Sequence, residues 1–134
     1  MFVKKLVLKN FKSFENASLE FTPGFVSLVG PNGSGKSNVI DGLLFAFGES
    51  SLKSMRVKKT PDLVFKNHSA AEVSVVLDDG TTQTEIKRLV RKDGKTKYGL
   101  EGKRVKKYVL EEFLASHKIS LNNIIKQGEV QRIV

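Results

Sequence analysis

Residues 30–37 read Gly30-Pro31-Asn32-Gly33-Ser34-Gly35-Lys36-Ser37, and the chain on either side takes its meaning from this octet. Glycine stands at the first and sixth positions, followed by lysine and serine, as the phosphate-binding P-loop pattern requires. Glycines let the backbone curl so that successive amide N–H groups point at one anion. A helix beginning directly afterwards adds its free amides and the positive end of its dipole. Lys36 supplies a mobile charge for the β and γ phosphates, and the Ser37 hydroxyl is placed to coordinate magnesium. The expected ligand is therefore ATP with a magnesium ion.

The flanks fit the motif. Before it, Phe25-Val26-Ser27-Leu28-Val29 is almost continuously apolar, which predicts a strand buried on both faces, in the middle of an α/β sheet. After it, Ile40, Leu43, Leu44 and Phe47 recur at helical spacing from about Gly35, and Gly48 sits where a C-terminal cap belongs. Further out, residues 3–9 alternate as a half-exposed strand, and Ala17, Leu19 and Phe21 form a second alternating run. Residues 49–71 are polar and irregular. Val73, Val75 and Leu77 then begin a three-stranded antiparallel meander, with strands near 83–91 and 95–101 and turns at Asp79-Gly80 and Asp93-Gly94. A helix is predicted over about 105–117, and 123–127 reads as a short return strand. The fold class expected is α/β, a P-loop lobe with a mixed sheet, the loop's helix and an antiparallel meander.

Length and composition set the bounds. The chain has 134 residues, 40% hydrophobic and 28% charged, with a net charge of +9 and no cysteine. One domain is expected. Disulfides and thiolate metal sites are excluded, which points to a cytoplasmic address. No apolar run approaches the roughly 20 residues of a membrane span, so no membrane partner is expected. The positive excess favours a polyanion.

The run G-P-N-G-S-G-K-S-N-V-I-D-G-L-L-F-A-F-G, residues 30–48, closely resembles the N-terminal head of SMC proteins, the structural-maintenance-of-chromosomes ATPases, of prokaryotic kind. Leu8-Lys9-Asn10-Phe11-Lys12-Ser13-Phe14, Lys53-Ser54-Met55-Arg56, Asp62-Leu63-Val64-Phe65 and Lys126-Gln127-Gly128-Glu129-Val130 line up with the same family in order. The resemblance implies that Gln127 is the Q-loop glutamine, reaching the magnesium and its attacking water. It implies that Lys12 and Ser13 flank the nucleotide, that Arg56 is brought towards the γ-phosphate, and that Asp62–Lys66, with Phe65 and Lys66, lies near the adenine. Asn38, following Ser37, belongs to the same set. The chain carries no apolar run ending in Asp-Glu, no L-S-G-G-type signature and no switch histidine. The expected domain is therefore 1–134, the N-terminal lobe of an ABC-type head. It would hydrolyse ATP only with its C-terminal lobe and a second head, as a homodimer with a kleisin-type subunit, on the nucleoid. A related repair ATPase of the RecN, RecF or zinc-hook kind is the alternative, or a non-enzymatic DNA-binding module with a vestigial nucleotide site.

Between Lys87 and Lys107 ten basic residues face only Asp93 and Glu101. Arg91, Lys92, Lys95, Lys97, Lys103 and Arg104 are the candidates for sequence-independent contact with duplex DNA, because phosphate contacts need no base reading. On the strand 83–91, Arg88 is expected on the face opposite Lys87 and Arg91.

Overall fold

The computed structural model describes residues 2–22, 25–29 and 35–119. Among these the order is β1 Phe2–Phe11, β2 Phe14–Thr22, β3 Phe25–Val29, α1 Gly35–Ala46, a 3-10 turn Thr60–Leu63, β4 Ala70–Asp78, β5 Gln83–Arg91, β6 Thr96–Leu100, β7 Lys103–Val105 and α2 Lys107–Ser116. The strands form one sheet in the order β3-β2-β1-β4-β5-β6-β7. All six pairings are antiparallel, so the mixed character expected of the sheet is not found among the described residues.

Alternation governs the sheet. On β4, Ala71, Val73, Val75 and Leu77 are buried while the residues between them are only half-buried. Leu6 and Leu8 of β1 and Ile86 and Val90 of β5 face the same core. The helix α1 lies on this face against β1, β4 and β5, and α2 packs against β6 through Leu110 and Leu114. A Cβ on Gly42 would come within 2.6 Å of Leu8 Cδ2, so glycine is what lets α1 approach β1 so closely. Three residues along, the Phe45 ring lies 5.3 Å from that of Phe11. The helix closes as expected at Gly48, φ +98°. The Gly48 amide donates to Phe45 O and the Glu49 amide to Leu44 O, the paired bonds of a Schellman cap.

Three further expectations need correcting. First, β3 is not central: it ends the described sheet and pairs with β2 alone among the described residues. The centre belongs to β4, between β1 and β5, and its alternation suits a sheet covered by helices on one face. Secondly, Asp79-Gly80 is not a two-residue turn; Asp78 pairs with Gln83, leaving residues 79–82 as a four-residue loop. The Asp79 carboxylate accepts from the amides of Thr81 and Thr82, which favours the longer loop and holds that carboxyl below its usual range. Thirdly, Lys103–Val105 forms a strand against β6, so α2 starts only at Lys107. The predicted return strand at 123–127 lies outside the described residues. Among the described residues, no helix is long and apolar enough to cross a membrane.

Arg88 is on the inward face of β5, as the alternation implies, and only 7% of it is exposed. Its Nη1 donates to Phe45 O at 3.0 Å and Glu49 O at 2.7 Å, and its Nε donates to Thr96 Oγ1 at 3.0 Å. The guanidinium lies between the rings of Phe45 and Tyr98, at 4.2 and 4.9 Å. Burial lowers its pKa from the ordinary arginine value, although the group stays protonated at neutral pH. One cation from the meander thus caps the carbonyl end of α1, where the helix dipole favours positive charge. Arg88→Ala is expected to lower the unfolding free energy by about 3 kcal/mol, since it strands buried carbonyls. Arg88→Lys keeps the charge without the planar fork and should recover only part of that loss. Urea denaturation of the two variants measures both effects.

Candidate nucleotide site

The start of α1 is the start of the site. Gly35, Lys36 and Ser37 form its first turn, directly after the remaining P-loop residues. Gly30, Pro31, Asn32, Gly33 and Ser34 lie outside the described residues, as does Gln127. The next residue, Asn38, is 9% exposed. Its Nδ2 donates to Ser13 Oγ at 2.5 Å, and its Oδ1 accepts from Arg56 Nη2 at 3.3 Å. One turn further along the same face stands Asp41, whose side chain is 3% exposed. A single oxygen of it, Oδ2, accepts from Lys12 Nζ at 2.5 Å and from Arg56 Nη2 at 2.8 Å. Four of the residues expected at a nucleotide, Lys12, Ser13, Asn38 and Arg56, therefore meet in one hydrogen-bonded group beneath the helix that the P-loop feeds.

Local backbone geometry brings them there. Lys12 and Ser13 form the tight turn between β1 and β2. Lys12 sits in the left-handed region at φ 53°, and Asn10 does the same at φ 54°. The Lys12 amide donates to Leu63 O, and the Phe65 amide donates to Asn10 O at 2.7 Å. These bonds, with a bridge between Phe11 and Val64, clip residues 62–66 to the end of β1. Phe65 is thereby half-buried beside the site, its ring 5.6 Å from that of His68, and Lys66 is exposed. Arg56 comes from a second compact turn in which the amides of Met55 and Val57 both donate to Leu52 O. Met55 is buried as its anchor, and Arg56 itself has φ 59°. Non-glycine residues held left-handed by their surroundings often mark functional sites.

Asp41 and its double ion pair were not among the residues singled out in the sequence. The signal was a carboxylate inside an otherwise apolar helical stretch, Val39-Ile40-Asp41-Gly42-Leu43-Leu44, which requires a buried partner. The net charge of the Lys12–Asp41–Arg56 group is positive. With an adjacent helix N-terminus, this donor set suits a polyphosphate. Among the described residues no group of three or more His, Asp or Glu side chains is placed to hold a metal ion.

The basic candidates divide by position. Lys97 and Arg104 stand on the outer face of the sheet, opposite Leu89 and Gly99, and Lys103 is on the other side of β7. Lys92 and Lys95 occupy the β5–β6 loop, where Arg91 Nη2 lies 3.1 Å from Asp93. Lys92, Lys95, Lys97, Lys103 and Arg104 have no ion-pair partner among the described residues. Arg91 of β5 pairs with Ala70 of β4, and Lys9 of β1 with Glu72. The β5–β6 loop is thus at the same end of the sheet as the Lys12–Ser13 turn.

Comparison with known proteins identifies the family. Residues 2–129 match the family described as the RecF/RecN/SMC N terminal domain. The chain belongs to this family. It is 35% identical to the chromosome partition protein Smc of Mycobacterium tuberculosis over 150 residues, covering 100% of this chain and 12% of that protein. It is also 35% identical to the Smc of Pyrococcus furiosus, covering 99% of this chain and 13% of the relative. The chain thus spans about an eighth of the length of these curated relatives. Among solved structures, one from work on ATP-driven dimerization and DNA-stimulated activation of SMC ATPases superposes with a TM-score of 0.81 at 34% identity. It covers 98% of this chain and 90% of that one. An Smc head bound to the C-winged helix domain of ScpA gives 0.79 at 34% identity, covering 90% and 42%. An ATP complex of RecF, at 0.60 and 22% identity over 78% of this chain and 28% of that one, shares the fold.

The two cations on Asp41 should differ in what they contribute to stability. Lys12→Met is expected to destabilise the fold by about 2 kcal/mol, because the lysine ammonium is almost wholly buried against the carboxylate. Arg56→Met, which removes a half-exposed side chain, should cost about 1 kcal/mol or less. Thermal and urea melts of the two variants provide the comparison.

Proposed function

We propose that this chain is the N-terminal lobe of an SMC-type ATPase head, binding ATP with magnesium at the P-loop that opens α1. The observation that carries this reading is the meeting of Lys12, Ser13, Asn38 and Arg56 beneath that helix. These residues come from three distant segments, and the resemblance had assigned them all to the nucleotide. In this reading Lys36 and the loop amides hold the phosphates and Ser37 holds the magnesium. Bound ATP supplies the phosphoryl group whose transfer to water the completed head catalyses. Phe65 and Lys66 border the base, and Gln127 completes the set of magnesium contacts.

In this reading turnover requires, besides these residues, a C-terminal lobe and a second head. The work on ATP-driven dimerization of related ATPases supports that requirement. A homodimer with a kleisin-type subunit, acting on the nucleoid in chromosome condensation and segregation, is the corresponding assembly. The resemblance to an Smc head bound to ScpA supports the kleisin. Duplex DNA is taken up through its phosphates by Arg91, Lys92, Lys95, Lys97, Lys103 and Arg104. Five of these six lack an internal ion-pair partner among the described residues, and the β5–β6 loop shares an end of the sheet with the nucleotide site.

Two experiments test the proposal. Lys36→Ala should abolish binding of a fluorescent ATP analogue in the presence of magnesium, and ATP hydrolysis should appear only when a matching C-terminal lobe is added. Turnover by this chain alone would refute the split-site reading. Charge reversal of Arg91, Lys92 and Lys95 in the engaged heads should weaken duplex DNA binding and flatten its salt dependence, by about one unit of log–log slope per lost phosphate contact. An unchanged slope would remove these residues from the DNA interface.

A further inference from the structure

Two cations on one carboxylate oxygen are more than neutralisation of a single buried charge demands. The two are held differently. Lys12 is 11% exposed at its side chain, its ammonium also donates to Met55 O at 2.9 Å, and its backbone amide is tied to Leu63 O. Arg56 is 52% exposed at its side chain, and its other contact, to Asn38 Oδ1, is long at 3.3 Å. Its backbone is fixed by the 52–57 turn, so only the side chain is free to move. Asn38 is the residue after Ser37, and this places the guanidinium beside the turn that carries Lys36.

We propose that Asp41 is a latch for Arg56: it holds the guanidinium in the resting site and releases it to the terminal phosphate of the nucleotide, while Lys12 stays on the carboxylate. The second cation is what makes the exchange possible. Stripped of both partners, a buried carboxylate would be left as an uncompensated charge, whereas one that keeps Lys12 remains paired. Asp41 and the terminal phosphate compete for one guanidinium, so the latch weakens apparent affinity for the triphosphate by the fraction of Arg56 it retains. Diphosphate has no group at that position and gains nothing from the release. Asp41 is thus a positioning residue, setting the discrimination between tri- and diphosphate without touching either. The inference rests on the nucleotide-binding reading above.

The test is titration of the 134-residue chain with Mg–ATP and Mg–ADP, in the wild type and in Asp41→Asn. The variant should bind Mg–ATP about fivefold tighter or more, with Mg–ADP affinity little changed. Adding Arg56→Ala to Asp41→Asn should abolish that gain. Equal shifts for both nucleotides, or no gain for Mg–ATP, would overturn the latch. Lys36→Ala separates this from the underlying reading: if it binds nucleotide as well as the wild type, the site itself is wrongly placed. If Lys36→Ala abolishes binding while Asp41→Asn gains nothing, the site stands and the latch falls. Should Asp41→Asn not fold, the wild-type chain still decides. The Nε–Hε resonance of Arg56, assigned by its loss in Arg56→Lys, must shift with saturating Mg–ATP and stay in place with Mg–ADP. A resonance unmoved by Mg–ATP would overturn the proposal.

Discussion

A carboxylate buried under a helix has to be neutralised, and the neutralisation of Asp41 dictates where three remote pieces of chain must be. Lys12 arrives from the turn between the first two strands and Arg56 from a compact loop past the helix, 29 and 15 residues away in sequence. Neither reaches the carboxylate unless its backbone turns sharply, and both residues adopt left-handed conformations to do so. The 3-10 turn is then drawn in, because Leu63 O accepts the Lys12 amide. Losing the carboxylate would leave two cations facing each other and remove the reason for these turns to converge.

The same economy of means appears at the far end of the helix. There Arg88 reaches in from the meander and caps the last carbonyls. Between these two polar attachments, the apolar contacts of Leu43 and Phe45 and the close approach at Gly42 hold α1 to the sheet. The helix is thus anchored at its N-terminal end through β1 and at its other end through β5. The strand that carries Arg88 continues into Arg91 and the basic β5–β6 loop. A surface suited to polyanions and a helix suited to nucleotide phosphates are therefore joined by three residues of one strand.

Much of this was legible in the sequence, for identifiable reasons. Strands with one covered face show strict alternation, so β1, β4 and β5 could be read directly, and the alternation also put Arg88 on the side away from Lys87. The P-loop helix and its Gly48 cap announced themselves through spacing. What local pattern could not supply was lateral order. An apolar pentapeptide such as Phe25–Val29 looks the same at the end of a sheet as at its centre, so β3 was expected at the centre and lies at the end of the sheet formed by the described residues. Asp41 escaped notice because its meaning lies in partners far along the chain. Lys12, Ser13, Asn38 and Arg56 were found only through resemblance, and the geometry that unites them was visible in no local spacing.

The four-residue loop of residues 79–82 has a practical consequence. It leaves the sheet at the end where Phe2 pairs with Asp78, the end opposite the Lys12–Ser13 turn. Its residues are exposed, and a side chain added at Gly80 would meet nothing within 4 Å. Its hydrogen bonds are largely internal, made by Asp78 and Asp79 to their own turn. Exposed loop tips of this kind accept inserted chain with little disturbance. A fluorophore, an affinity tag or a whole fused domain can be carried there while the end that holds Lys12, Asp41 and Arg56 keeps its native form.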